Sequence, residues 1–247
     1  MLTEQRYEKI LKLLDEKKSI TVTEIRDLLD ISESTVRRDI NALHKAGRLV
    51  RVFGGAVATD TTFVPNEPTV AQKKEVNVKE KQKIARYAAA LIERDDFVYL
   101  DAGTTTECML DYVTETGATY VTNAVAHAQK LATMGLRVFL IGGELKSSTE
   151  AVVGNQAVLT LLTYHFTKGF FGTNGLSETA GFTTPDANEA LIKKTAMNQC
   201  RERYVLADSG KFDKISSVTF GKLDTAVILT DQYPEWDIKG LDVVICD

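Results

Sequence analysis

Tyr7, Ile10, Leu11 and Leu14 recur at i, i+3, i+4 and i+7, with Glu8, Lys9 and Lys12 between them; this spacing predicts a helix with one buried stripe. Thr21 and Glu24 have the spacing of a capping box, with Ile20 and Ile25 on either side in the relation of a hydrophobic staple. A second, short helix is therefore expected from about residue 22 to Leu29. Ser32 can cap a third helix, which turns Val36, Ile40 and Leu43 inward and stops at Gly47. Residues 49–52, the pair Gly54-Gly55 and Ala56-Val57 then read as a short hairpin with a glycine turn.

The pattern changes after residue 57. Residues 58–72 hold Pro65 and Pro68 and no helical stripe, as in a linker between domains. Beyond them, helix and strand alternate. A helix over 73–93 precedes a strand at 97–100, and a helix after Thr106 precedes one at 119–121. Further strands are expected at 137–141, 168–171, 203–207 and 226–230. Near-continuous apolar strands separated by helices predict a parallel sheet covered on both faces. The expected domains are thus a helical unit with a hairpin at 1–57, a linker at 58–72 and a larger α/β domain at 73–247, in keeping with a length of 247 residues.

Taken over the whole chain, the net charge of -4 argues against a nucleic-acid partner. Counted by segment, residues 1–57 hold 11 Lys or Arg against 9 Asp or Glu, and the remainder holds 19 against 25. Residues 33–57 alone carry Arg37, Arg38, Lys45, Arg48 and Arg51 against Glu33 and Asp39. Cys108, Cys200 and Cys246 lie far apart, which fits a reducing cytoplasm. The apolar runs are strand-sized and the charged start lacks an apolar leader stretch, so neither membrane insertion nor export is expected.

A short helix, a four-residue turn and a second helix with polar residues outward form a helix-turn-helix pattern. On the third helix Ser34, Arg37, Arg38 and Asn41 lie opposite Val36, Ile40 and Leu43. Arg can bond guanine bidentately and Asn adenine, while Ser32 and Thr35 hydroxyls at the helix start suit phosphates and base edges. Arg51 on the hairpin could reach the neighbouring backbone or minor groove as a wing. The alternative is a solvated amphipathic helix in a small bundle.

In the larger domain, the strand at 97–100 runs directly into Asp101-Ala102-Gly103-Thr104-Thr105-Thr106 and a helix. Helix-start amides, a glycine and three hydroxyls can surround a phosphate; an ordinary threonine-capped turn is the alternative. Thr122-Asn123, Gly142-Gly143, Gly172-Thr173-Asn174-Gly175 and Asp208-Ser209-Gly210-Lys211 also sit at strand ends. In an open parallel sheet such loops converge on one crevice. His44, His127 and His165 are isolated, no G-x-S-x-G is present, and Val205 stands where a P-loop needs its first glycine. No metal or cofactor is expected.

These residues bring a family into view. Residues 31–40 and 47–56 resemble the N-terminal signature of DeoR-family bacterial transcription regulators, with Phe53 where the family usually has histidine. Asp101 to Thr105, Thr122-Asn123, Gly142-Gly143, Gly172-x-Asn174, Glu189-x-x-x-Lys193 and Asp208-Ser209-x-Lys211 are similar to its sensor domain. The resemblance implies a winged helix-turn-helix domain joined to an α/β sensor like ribose-5-phosphate isomerases and CoA transferases. It also implies operator DNA and a phosphorylated sugar as partners, and a homo-oligomer. By the same analogy Thr104, Thr105, Thr106 and Lys211 would hold the phosphate, while Asp101, Asn123, Asn174, Glu189 and Lys193 would meet sugar hydroxyls or close the site. Residues 1–6, 32–39 and 148–151 are most like fructose-operon repressors, which implies fructose 1-phosphate; a lactose-operon type answering tagatose 6-phosphate is the competitor. A sugar-phosphate isomerase carrying a DNA-binding module is the enzymatic alternative, but residues 171–175 and 181–184 offer no carboxylate base. Glu189 is the remaining candidate base, set against an ion pair with Lys193 one helical turn away.

Overall fold

A computed structural model describes residues 2–17, 19–52, 54–58, 62–63 and 69–247. The stripe at Tyr7 to Leu14 forms α1 (Thr3–Lys17), and its Ile10 and Leu14 are buried. Both hydrogen bonds of the Thr21 and Glu24 capping box are made, which starts α2 (Val22–Leu29); Asp30 in the left-handed conformation ends it. Ser32 caps α3 (Glu33–Lys45) by accepting from the Thr35 amide. Ile10, Leu14, Ile25, Val36, Ile40 and Leu43 make one small core. Arg6 grips the buried Asp39 with two bonds, at 2.6 and 3.0 Å, and so fixes α1 against α3.

The expected hairpin is β2 (Val50–Val52) with β3 (Gly55–Val57), and it gains a partner that spacing did not suggest. β1 (Ser19–Thr21) pairs antiparallel with β3, giving the order β1-β3-β2. A Cβ on Gly55 would stand 2.0 Å from the Ile20 carbonyl oxygen, so the close crossing needs glycine there. Phe53 at the wing tip lies outside the described residues, as do 59–61 and 64–68 of the expected linker.

In the larger domain, β4 (Thr62–Phe63) and α4 (Val70–Lys74) come before α5 (Val78–Ala90). One continuous helix over 73–93 does not form: Asn77 takes the left-handed conformation at φ 51° and breaks it into α4 and α5. The strands and helices that follow are β5 (Phe97–Leu100), α6 (Thr104–Met109), β6 (Thr119–Thr122), α7 (Val125–Thr133) and β7 (Arg137–Leu140). Next come the hairpin β8 (Glu144–Lys146) and β9 (Ala151–Val153), then α8 (Asn155–Leu161) and β10 (Phe166–Gly172). β11 (Gly175–Ser177), β12 (Gly181–Thr184), α9 (Ala187–Asn198) and β13 (Cys200–Leu206) lead to β14 (Lys214–Ile215), β15 (Val218–Gly221), β16 (Val227–Thr230) and β17 (Val243–Ile245).

Seven strands form an all-parallel sheet in the order β17-β16-β13-β10-β5-β6-β7. Its two faces alternate along each strand. Val98, Leu100, Phe170 and Leu206 pack under α5, α6 and α7. Tyr99, Phe171 and Val205 face α8 and α9. The chain leaves β5 toward β6 and β7, then returns to place β10 on the other side of β5 before continuing to β13. This reversal makes the carboxyl ends of β5 and β10 a topological switch point, where a crevice opens. β11, β12 and β15 form a separate antiparallel sheet beside it.

Candidate functional site

Two surfaces gather the candidate residues. On α3, Ser32, Ser34, Arg37 and Arg38 are exposed and Thr35 and Asn41 half-buried. The Ser32 hydroxyl lies 2.9 Å from those of Ser34 and Thr35, which groups three hydroxyls at the helix start. Asn41 accepts a 2.7 Å bond from Arg51 of the wing, so helix and wing are tied through side chains that themselves suit base edges and phosphates. Arg37 has Glu33 at 3.5 Å, one turn back on the same exposed face. Asp39 counts against the local positive charge in the sequence, yet it is turned inward to Arg6.

The second surface is a cleft at the switch point. Asp101, Gly103, Thr104 and Thr105 line it from the end of β5, Asn123 from β6, Gly172 and Asn174 from β10, Lys211 from the turn after β13, and Glu189 and Lys193 from α9. Ala102 and Thr173 of the expected loops line it too, and spacing alone did not suggest Val70, Lys73, Lys81, Thr149 or Ala151, which complete the lining. Lys81 left a trace in the sequence, because it falls on the same helix stripe as the buried Ile84 and Ala88, where a lysine is out of place. Lys73 and Thr149 left none.

Several expected residues serve the frame of the cleft. The Thr106 hydroxyl is wholly buried and bonds the Asp101 and Gly103 carbonyls at 2.6 and 2.9 Å, so it locks the turn and does not face the cleft. Thr122 accepts from the Ala124 amide and is likewise buried, while Gly142 and Gly143 lie outside the cleft in the approach to β8. At Gly143 a Cβ would meet the Val153 carbonyl at 2.6 Å, so its role is to let the β8 and β9 hairpin close. Asn123 bonds the Tyr99 hydroxyl, the Ala102 amide and the Val152 carbonyl, which fixes the first loop against the hairpin.

Glu189 and Lys193 do not pair with each other. Lys193 donates to the wholly buried Asp101 and to the Gly172 carbonyl, and its ammonium stands 5.6 Å over the Phe220 ring. Burial pushes the Asp101 carboxyl above its usual value, while Lys193 pulls it back. Glu189 takes bonds from Lys146 at 2.9 Å and from Thr149. Each charge is answered by a different strand end. At the opposite side, Lys81 and Lys211 are pushed below the usual lysine value by burial, which an incoming anion would reverse.

His127 of α7 is buried behind the Gly103 turn with its Nδ1 unbonded, and burial lowers its pKa from 6.5 to about 4. A base whose folded pKa is depressed lends full stability above its unfolded value and loses it as pH falls between the two. Stability is therefore expected to drop from pH 6.5 toward pH 4 by up to about 1.4 kcal/mol per unit through this residue. Urea midpoints across that range should fall less steeply in His127→Gln; equal slopes would show that other groups govern the loss.

Residues 6–62 match the family model for the DeoR-like helix-turn-helix domain, and residues 76–232 match that for the DeoR C terminal sensor domain. The chain belongs to the DeoR family of transcription regulators. Among DeoR-type relatives, it is 40% identical to the "Uncharacterized HTH-type transcriptional regulator FruR" of Bacillus subtilis (strain 168), over 95% of this chain and 93% of that one. It is 34% identical to the lactose phosphotransferase system repressor of Streptococcus mutans, over 94% and 93% of the two chains. The family and these relatives are regulators, not enzymes. Ribose 5-phosphate isomerase A of Methanocaldococcus jannaschii aligns with 55% of each chain at 15% identity and a TM-score of 0.40, too distant a likeness to support a function. Among the described residues no helix is long and apolar enough to cross a membrane, and no group of three or more His, Cys, Asp or Glu is placed to hold a metal ion.

Proposed function

We propose that this DeoR-family regulator is a cytoplasmic repressor of a sugar-utilisation operon, with operator affinity set by a phosphorylated sugar in the cleft. The observation that carries the reading is the meeting of Thr104 and Thr105 with Lys81 and Lys211 at a switch point whose far side offers Glu189 and Asn174. Hydroxyls and lysines suit a phosphate, and the carboxylate and amide suit sugar hydroxyls. Fructose 1-phosphate is the effector we favour, from the fructose-type segments and the similarity to the Bacillus subtilis regulator. Tagatose 6-phosphate is the second reading, favoured by the similarity to lactose repressors. On DNA, Ser32, Ser34, Thr35, Arg37, Arg38, Asn41 and Arg51 form the contact face. The protein acts as a homo-oligomer, because a dimer presents two recognition helices to half-sites about 34 Å or a multiple apart.

The test is a gel shift on the DNA upstream of the protein's own gene, with a panel of aldose and ketose phosphates. One ketose phosphate is expected to shift the binding midpoint about tenfold, within the usual range of allosteric coupling. Thr105→Val and Lys211→Ala should keep operator affinity in the absence of sugar phosphate and blunt that shift. A normal dose response in both variants would move the site elsewhere.

A further inference from the structure

The short helix α4 is formed locally and held from one side. A capping box of Thr69 and Gln72 starts it, yet it buries no residue, so apolar packing does not set its place. Its attachments go to α5 and α6, which border the cleft. Lys74 bonds Glu107 of α6 at 2.7 Å, Lys81 of α5 donates to the Lys73 carbonyl, and Val70 and Lys73 line the cleft. The chain after α4 is pinned. Asn77 in its left-handed conformation donates a 2.5 Å bond to the buried Asp208, and a Cβ on Gly210 would stand 2.6 Å from the Asn77 amide nitrogen. Upstream, β4 pairs with β14, three residues beyond Lys211. The segment that leads from the helix-turn-helix domain thus meets the sensor body at β14, and the cleft itself at α4.

We propose that α4 is the element that carries cleft occupancy toward the DNA-binding domain, with Lys73 and Lys81 serving as further ligands of the bound anionic group. The proposal rests on the reading of the cleft as a sugar-phosphate site. Lys73 comes from α4, whereas Lys81 and Lys211 come from the sensor body. An anion among the three adds attraction between α4 and the body only when the cleft is filled. A ligand shifts an equilibrium by its differential affinity for two states, and here the difference lies in α4 docked or released, with Asn77 as the pivot. Asp208 suits the pivot. It receives the Asn77 amide on one oxygen, while its other oxygen is buried without a hydrogen bond, beside the Lys81 and Lys211 charges.

The experiment uses the full chain. Calorimetry with fructose 1-phosphate and tagatose 6-phosphate gives sugar-phosphate affinity, and operator binding with and without each gives the coupling ratio. Lys74→Ala removes an anchor of α4 without touching the cleft. It should keep sugar-phosphate affinity within about threefold and cut the coupling ratio about fivefold or more, a sizeable part of an ordinary coupling free energy. Lys74→Arg, which can still pair with Glu107, should restore the ratio. Lys73→Ala should lower both affinity and ratio. Hydrogen exchange at residues 70–77 should slow when the wild-type chain binds either sugar. If Lys74→Ala and Lys73→Ala bind sugar phosphate and keep the wild-type ratio, α4 is not the carrier, and the sensor reading stands. If the wild-type chain binds neither sugar, the sensor reading falls and this inference with it.

Discussion

Arg37→Ala is expected to weaken operator binding by about 1–3 kcal/mol, roughly 5- to 150-fold, and to relax the preference at one base pair. The expectation comes from where α3 places the side chain. Val36 and Ile40 are buried in the core, which holds the helix by its inner face and turns Arg37 outward. Its guanidinium partner is Glu33 at 3.5 Å, and both side chains are about half exposed, so the pair is weak enough to be exchanged for a guanine edge. Arg51 should behave differently. It is bonded to Asn41 on the proposed DNA face, so Arg51→Ala would remove the phosphate or minor-groove contact proposed for it and also free Asn41. That variant should lower affinity on all sequences and reduce the salt slope, whereas Arg37→Ala should change the ranking of sequences. Anisotropy titrations on the operator and on single-base variants at two salt concentrations separate the outcomes; unchanged affinity and ranking in Arg37→Ala would remove it from the readout.

What could be read in advance was what depends on neighbours in sequence. The caps at Thr21 and Ser32 and the stripes at Ile10, Leu14, Val36 and Ile40 act over three or four residues, and the structure has them as expected. β1 was hidden because Ile20 also satisfies a staple; only the arrival of Ala56, 36 positions later, makes it a strand. The break at Asn77 was hidden because asparagine is ordinary in a polar helix face, and its left-handed turn is set by Asp208 from a distant strand end. β11, β12 and β15 are three or four residues long and rich in glycine and threonine, too short for a period to show.

The cleft divides in the same way. Loops at strand ends could be placed together, since a parallel sheet with a switch point brings them there whatever their side chains. Partners within the cleft could not. Four-residue spacing pointed to a bond between Glu189 and Lys193, but a helix offers only the geometry for such a pair, and both side chains found partners elsewhere, in Lys146 and Asp101. Lys73 reaches the cleft through α4, whose position depends on Glu107 and Lys81. The charge census changed for a similar reason. Asp39 lies in the recognition stretch by sequence and inside the domain by structure, so the outward face is more positive than its composition.

The bond between Lys193 and Asp101 supports the largest expected loss of stability. Both side chains are more than nine-tenths buried, and Asp101 also accepts the Gly172 amide at 3.0 Å, so the pair ties α9 to the ends of β5 and β10. Removal of one member of a buried pair leaves the other charge without compensation, which typically costs about 3–5 kcal/mol. Lys193→Met keeps most of the side-chain volume and should lose that much at pH 7. The pH dependence identifies the cause. Burial already raises the Asp101 carboxyl above 3.8, and loss of Lys193 raises it further. An acid with a raised folded pKa weakens the fold as pH climbs from the unfolded value to the folded one, because the unfolded state ionises first. The deficit of Lys193→Met relative to wild type should therefore be greatest at neutral pH and shrink toward pH 4. Asp101→Asn in the same chain should recover a large part of it, because no carboxylate then remains to be stranded. Urea unfolding of the four chains of this cycle at several pH values makes the comparison. A deficit below about 1 kcal/mol at pH 7, or one that does not change with pH, would mean that water or another cation replaces the lysine and that the pair is not what holds the cleft together.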